Sequence, residues 1–127
     1  MDDFSNVNWL AVIVGAVLAF VAGWLWYSPI LFGAKWAEGS RVEMGTADEM
    51  PKMAMLLQAL ALLLISTFIG MTAAAGALTT AIVAILGIAA FNMSAGAFIK
   101  KSNYALLVDG GYAILIGIVM IVVQGIL

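Results

Sequence analysis

The feature that most constrains this chain is a run of 47 residues, from Met53 to Ile99, without a charged side chain. As one helix the run would extend about 70 Å at 1.5 Å per residue, more than twice a bilayer core of about 30 Å. It must therefore fold back on itself. The small residues at 73–77 favour a reversal there, with Gly76 in the left-handed geometry that ends helices. We predict two membrane spans, over residues 53–74 and 77–99.

Two further segments have the length and composition of membrane spans. Residues 8–32 are uncharged, and residues 104–127 contain one charged side chain, that of Asp109. The segment 8–32 ends in interfacial aromatic residues, and Pro29 disfavours helical geometry at Ser28, so a kink or an unwound turn is expected there. The chain is 65% hydrophobic and 9% charged, against about 25% charged residues in soluble domains. We predict one all-α membrane domain over residues 1–127, with four transmembrane helices in an up-down bundle.

The strongly charged segments are residues 33–52 and the turn at Lys100 and Lys101, which together hold all five lysine and arginine residues. Because basic residues collect on the cytoplasmic side of a membrane, both segments are predicted to be cytoplasmic. Both termini then lie on the outer face, N-out and C-out. The start of the chain is acidic, at Asp2 and Asp3, where a cleaved signal would be basic, so the first span is expected to be retained.

Local signals refine the charged segments. Residues 34–44 are expected to form a short helix on the membrane surface, with Trp36 facing lipid. Thr46 and Glu49 have capping-box spacing, so the second membrane helix is predicted to start near residues 48–51. Ser102 or Asn103 is predicted to cap the last helix.

The residue types that the chain lacks exclude several kinds of chemistry. It has no cysteine and no histidine, which excludes disulfides, structural zinc sites and catalysis by either side chain. It also has no basic cluster that could follow a phosphate backbone. We therefore predict a protein that is not an enzyme, with no cofactor, no metal site and no nucleic-acid partner.

Small residues recur at intervals of four in the first and last spans. Such ridges let helix backbones approach closely in a membrane, where no hydrophobic effect drives association. Packing within the bundle is the favoured interpretation, and the alternative is that one of these faces binds a partner chain. The ridges comprise Ala11, Gly15, Ala19 and Gly23 in the first span and Ala113 and Gly117 in the last.

Asp109 is a candidate for ligand or ion binding because it is the one charged side chain inside a predicted span. The favoured interpretation is structural: a pair with a lysine such as Lys100 or Lys35, or hydrogen bonds to tryptophan or tyrosine groups around Tyr27. A proton or cation relay is the alternative. The aromatic residues at the same interface, Trp26 among them, are interpreted as an interfacial belt, with the wall of a lipid, quinone or pigment site as the alternative.

The Trp-Tyr-Ser-Pro element of residues 26–29, with the flanking residues 8–11, 31–33 and Trp36, resembles the opening of a family of small bacterial membrane proteins known as domain of unknown function 1761. The Asp-Gly-Gly-Tyr element of residues 109–112 is similar to that family's last helix. The resemblance covers nearly the whole chain and implies a four-helix protein of the bacterial cytoplasmic membrane, without implying an activity. It also suggests that Trp26, Tyr27, Asp109 and Tyr112 form one cluster at the cytoplasmic interface.

Two functions are consistent with these patterns. The favoured one is a small structural or accessory membrane protein that packs with other membrane subunits or with itself, which explains the ridges and the scarcity of polar groups. The alternative is a dimeric transporter of small molecules or cations that uses Asp109.

Overall fold

The structure is a computed structural model and describes residues 4–43 and 51–127. Within those ranges the chain is all-helical, with five helices and no strand. Every helix except the second is long and apolar enough to cross a membrane. The prediction of an all-α membrane protein with four such helices is confirmed. In chain order the helices are α1 (Trp9–Trp26), α2 (Gly33–Ser40), α3 (Lys52–Ala74), α4 (Leu78–Phe98) and α5 (Asn103–Ile126).

Helix α1 is shorter than the predicted first span. It is capped by the Asn8 side chain, which accepts a hydrogen bond from the backbone N–H of Ala11 at 3.1 Å. The predicted span ran to residue 32, but the helix ends at Trp26 and residues 27–32 form turns. The Ser28 hydroxyl donates to the carbonyl of Leu25 at 2.7 Å, and the proline that follows disfavours helical geometry at Ser28. The expected interruption at this residue is therefore present.

The connections between the other helices follow local backbone chemistry. Gly76 has a φ of +67°, the left-handed geometry predicted for the reversal between α3 and α4. Ser102 caps α5, with its hydroxyl accepting from the backbone N–H of Ala105 at 3.1 Å. The capping-box signal at Thr46 and Glu49 lies outside the described residues.

Helix α2 corresponds to the short helix predicted over residues 34–44, of which residue 44 lies outside the described ranges. It contacts the turn between α4 and α5. The backbone N–H of Ser102 donates to the Gly39 carbonyl at 3.0 Å, and the Arg41 guanidinium donates to the carbonyls of Lys100, at 2.7 Å, and Ile99. The two basic segments of the chain therefore meet at one end of the bundle.

Helix α5 lies at the centre of the bundle. Half of the residues in its most apolar 18-residue stretch are buried, against 22% in the corresponding stretches of α1, α3 and α4. It packs against α1, α2 and α4, while α3 packs chiefly against α1. Although α3 and α4 share a tight turn, they contact each other little. The bundle is consequently forked between these two helices.

Candidate functional site

A polar cluster surrounds the carboxylate of Asp109, whose side chain is 13% exposed. One carboxylate oxygen, Oδ1, accepts hydrogen bonds from the Tyr27 hydroxyl at 2.6 Å and the Trp36 indole N–H at 2.9 Å. The other, Oδ2, accepts from the Lys101 ammonium at 2.8 Å. We call these four residues the carboxylate cluster. Both oxygens of the carboxylate are therefore engaged by donors of this chain.

Each member of the carboxylate cluster comes from a different element. Tyr27 follows α1, Trp36 belongs to α2, Lys101 lies in the turn before α5, and Asp109 lies on α5 itself. Charge-assisted hydrogen bonds are about twice as strong as neutral ones, so the cluster holds these elements together. Its geometry is that of a packing centre for one end of the bundle.

Asp109 pairs with a lysine as the structural interpretation expected, but the lysine is Lys101 rather than Lys100 or Lys35. Lys100 has a φ of +63° and forms the bend of the turn, where its carbonyl accepts from Arg41. Lys35 lies instead over the ring of Tyr104, with its ammonium 5.1 Å from the ring centre. The backbone of the turn therefore decides which neighbouring lysine reaches the carboxylate.

Trp36 was expected to face lipid, and this expectation is wrong. Its half-buried side chain points into the bundle and donates to Asp109. Its ring lies 4.9 Å from that of Tyr27 in an edge-on arrangement, and the Lys101 ammonium lies 5.3 Å from its centre. An indole N–H can only donate, and a carboxylate accepts several donors, so the pairing satisfies both groups. That requirement was the signal in the sequence that could have placed Trp36 in the site.

The remaining predicted site residues, Trp26 and Tyr112, join the same region through backbone contacts. The Trp26 indole N–H donates to the carbonyl of Val108 at 2.9 Å. The Tyr112 hydroxyl donates to the carbonyl of Ala19 at 2.9 Å and accepts from the Gln58 amide at 3.3 Å. The structure thus brings together all four candidates and adds Trp36, Lys101 and Gln58.

Tyr27 remains a hydrogen-bond donor to Asp109 over a wide pH range. Burial raises the pKa of its phenol well above the usual value of 10, and the hydrogen bond to the carboxylate and the negative charge of that carboxylate raise it further. The Lys101 ammonium supplies the compensating positive charge. The carboxylate cluster is therefore neutral overall when Asp109 and Lys101 are both ionised.

The small residues of the two predicted ridges lie against other helices of this chain. A methyl group added at Gly15 would lie 3.0 Å from the Ser66 hydroxyl oxygen, and one added at Gly23 would lie 2.6 Å from the Tyr112 hydroxyl oxygen. Ala11, Ala19 and Ala113 are buried, and a methyl group at Gly117 would meet the side chain of Ile85. Binding of a partner chain through these faces stays a prediction.

A cavity of about 1100 Å³ extends from the carboxylate cluster into the fork between α3 and α4. Asp109, Lys101 and Tyr112 line one part of it, and Gln58 and Asn92 line its flanks. Most of the remaining wall is apolar. Among residues 4–43 and 51–127, no group of three or more acidic, cysteine or histidine side chains is placed to hold a metal ion.

The comparisons with known proteins bear on the whole chain. No curated protein and no solved structure matches it. A family model described as a protein of unknown function, DUF1761, matches residues 10–125, a range that includes every member of the carboxylate cluster. The description of that family states no activity. With nearly its full length matched, and as the resemblance at residues 26–29 and 109–112 predicted, the chain belongs to the DUF1761 family.

Proposed function

We propose that this chain is a small structural or accessory membrane protein that packs with other membrane subunits or with copies of itself. The observation that carries the proposal is the state of Asp109. Apart from Lys52 at the start of α3, Asp109 is the one charged residue within the four membrane helices. Both of its carboxylate oxygens accept hydrogen bonds, from Tyr27, Trp36 and Lys101. Releasing this carboxylate for transport would break three contacts at once, so its chemistry favours holding the fold.

The outer surface of the bundle supports lateral packing. In the most apolar 18-residue stretch of each of α1, α3 and α4, about four-fifths of the residues are not buried within the chain. Several large apolar side chains on α4 are well exposed, with Phe91 at 76% and Phe98 at 84%. Within a membrane such surfaces contact either lipid or other helices, and close packing is what decides between the two. The accessory role assigns part of this surface to protein neighbours.

The proposed arrangement is an up-down bundle in the bacterial cytoplasmic membrane, N-out and C-out. The confinement of all five basic residues to two segments, which meet through Arg41 and Lys100, supports it. Because the chain has no native cysteine, single cysteines report topology cleanly. In intact cells, Ala75→Cys should react with a membrane-impermeant maleimide and Glu38→Cys should react only after permeabilisation. The reverse pattern would overturn this orientation.

The accessory role is tested by purifying the chain from its native membrane in a gentle detergent and measuring its mass by native mass spectrometry. We expect a fixed stoichiometry, either with other subunits or as a homo-oligomer. A monomer that carries no other protein, recovered also after cross-linking in the intact membrane, would contradict the proposal.

A second function, a dimeric transporter of small molecules or cations that uses Asp109, is favoured by one observation: this residue lines the cavity. Proton flux into proteoliposomes, measured for the unaltered chain and for Asp109→Asn, separates the two functions. A substrate-coupled flux that Asp109→Asn abolishes would support transport. Enzymatic activity is not part of either proposal.

A further inference from the structure

The cavity in the fork between α3 and α4 has the dimensions of a binding site for a large apolar molecule. Its volume of about 1100 Å³ is slightly larger than that of typical ligand pockets, which enclose about 300–1000 Å³. Its walls come from α3, including Ala54, Ala61 and Ile65, from α4, including Ile88 and Ala95, and from parts of α1 and α5. The cavity therefore lies away from the Gly76 turn and toward the carboxylate cluster.

Two amides flank this apolar space from opposite helices. Gln58 on α3 and Asn92 on α4 each lie six residues from the end of their helix nearest the charged segments, about 9 Å at 1.5 Å per residue. The Gln58 amide nitrogen donates to Tyr112, and its carbonyl oxygen accepts from none of the residues that the structure describes. Asn92 makes no hydrogen bond to another described residue. Polar groups in an apolar surrounding are stabilised by a partner, and a bound molecule can supply it.

The charges around the cavity determine which kind of head group fits. Lys101 and Asp109 pair with each other, so the charge of the carboxylate is already compensated and its two oxygens already have donors, which leaves little to hold a cationic head group. The Lys101 charge is neutralised by the same pair, so it offers little to an anionic one. Glu43, at the edge of the lining, adds a negative charge that repels an anion. An uncharged head group with hydrogen-bond donors and acceptors is the one that the site accommodates without a desolvated, unpaired charge.

We propose that the fork between α3 and α4 binds one molecule of an uncharged amphipathic lipid. Its hydrogen-bonding head group contacts the amides of Gln58 and Asn92, and its hydrocarbon chain lies along the apolar walls. This inference goes beyond the accessory role, because it requires no second protein. Its site is the cavity and the two amides, and the paired Asp109 bears only on the charge of the head group, so lipid binding and the accessory role can each fail alone.

The test is a native mass spectrometry titration of the full chain in detergent with three lipids that share the same acyl chains. Dioleoylglycerol is the uncharged probe, dioleoylphosphatidylglycerol the anionic one, and dioleoyltrimethylammonium-propane the cationic one. We expect dioleoylglycerol to saturate at one molecule per chain and the two charged lipids to bind more weakly and without saturation. Equal binding of all three lipids would show only the unselective contacts that any bilayer lipid makes, and would overturn the proposal. A preference for either charged lipid would overturn the assignment of the head group.

Variants on both walls locate the binding. Ala61→Phe and Ala95→Phe fill the cavity and should weaken dioleoylglycerol binding by about tenfold or more, since a tenfold change corresponds to about 1.4 kcal/mol. Ala59→Phe and Ala90→Phe are matched controls on the same helices, exposed but outside the cavity lining, and should bind as the unaltered chain does. Unchanged binding in both cavity variants would overturn the proposal, as would equal weakening in the controls.

The amides are tested separately from the volume of the cavity. The double variant Gln58→Leu with Asn92→Leu keeps the apolar walls and removes the hydrogen bonds to the head group. It should weaken dioleoylglycerol binding by about tenfold, the effect of one to two net hydrogen bonds, while the discrimination that depends on the Lys101–Asp109 pair remains. Circular dichroism of every variant identifies loss of fold, and an unchanged affinity for dioleoylglycerol in the folded double variant would refute the role of the amides.

Discussion

The contacts of α1 with α5 and those of α3 with α4 show two different ways in which membrane helices meet. Trp26 donates to the backbone of α5, and Tyr112 donates to the backbone of α1, over sequence separations of 82 and 93 residues. Among the described residues, no side-chain hydrogen bond joins α3 to α4, although a turn of a few residues connects them. Adjacency in sequence therefore does not produce packing in a membrane. Complementary small and polar residues do, because lipid competes equally for apolar surface.

The largest expected effect comes from removing the charge that holds the tightly packed side together. Asp109→Leu leaves the Lys101 ammonium, the Tyr27 hydroxyl and the Trp36 indole without their acceptor. We expect a loss of about 3 kcal/mol in the free energy of unfolding, at the lower end for broken buried pairs because Lys101 is 17% exposed and can reach water. Reversible unfolding in mixed micelles, followed by circular dichroism, measures it. Adding Lys101→Leu should recover part of the loss, and a stability equal to that of the unaltered chain would invalidate the comparison.

A glycine pair tests the same contrast through packing. A methyl group at Gly23, on α1, would lie 2.6 Å from the Tyr112 hydroxyl oxygen, whereas one at Gly87, on α4, meets nothing within 4 Å. We expect Gly23→Ala to lower the free energy of unfolding by about 2 kcal/mol through overpacking. Gly87→Ala should change it by less than about 0.5 kcal/mol. The same unfolding measurement applies, and similar effects at both positions would show that the two sides are packed alike.

A smaller difference is expected between two polar side chains. Ser66, on α3, is buried and donates to the Val12 carbonyl at 2.7 Å, so Ser66→Ala should cost about 1 kcal/mol, within the range for hydrogen bonds between membrane helices. Asn92→Leu in the fork should cost less than about 0.5 kcal/mol, because Asn92 has no partner among the described residues. The comparison is made in detergent without added lipid. A larger loss of unfolding free energy for Asn92→Leu would mean that Asn92 makes a stabilising contact in the fork.

The smallest effect at neutral pH concerns the titration of Tyr27. Its pKa in the folded protein lies above 10, the value expected in the unfolded chain, so its contribution to stability is complete below about pH 10. That contribution is lost as the pH rises from about 10 through the folded pKa. Unfolding measured between pH 7 and pH 12 should therefore show a decline that is shallower in Tyr27→Phe, with Tyr104→Phe as the control. Identical slopes would argue against the hydrogen bond from Tyr27 to Asp109.

The sequence predicted those contacts of the candidate site that depend only on how deep each residue lies in the membrane. Tyr27, after the first span, and Asp109, early in the last, were expected at the same interface, and they form a 2.6 Å hydrogen bond. The choice of Lys101 over Lys100 was not predictable, because it depends on a left-handed backbone at Lys100 that no glycine signalled. The orientation of Trp36 was missed for a related reason: an interfacial helix can present its tryptophan to lipid or to protein, and only the position of the acceptor decides.

The sequence by itself determined the number of membrane helices and the turn at Gly76, because insertion into a bilayer depends on length, apolarity and charge summed along each segment. The tertiary structure decided which side chains meet and where the bundle is forked. Those outcomes depend on the rotation of each helix about its own axis, and in an apolar solvent that rotation is selected by a few polar and small-residue contacts between distant segments. Tyr27 and Asp109, 82 residues apart, are the pair in which that selection is most direct.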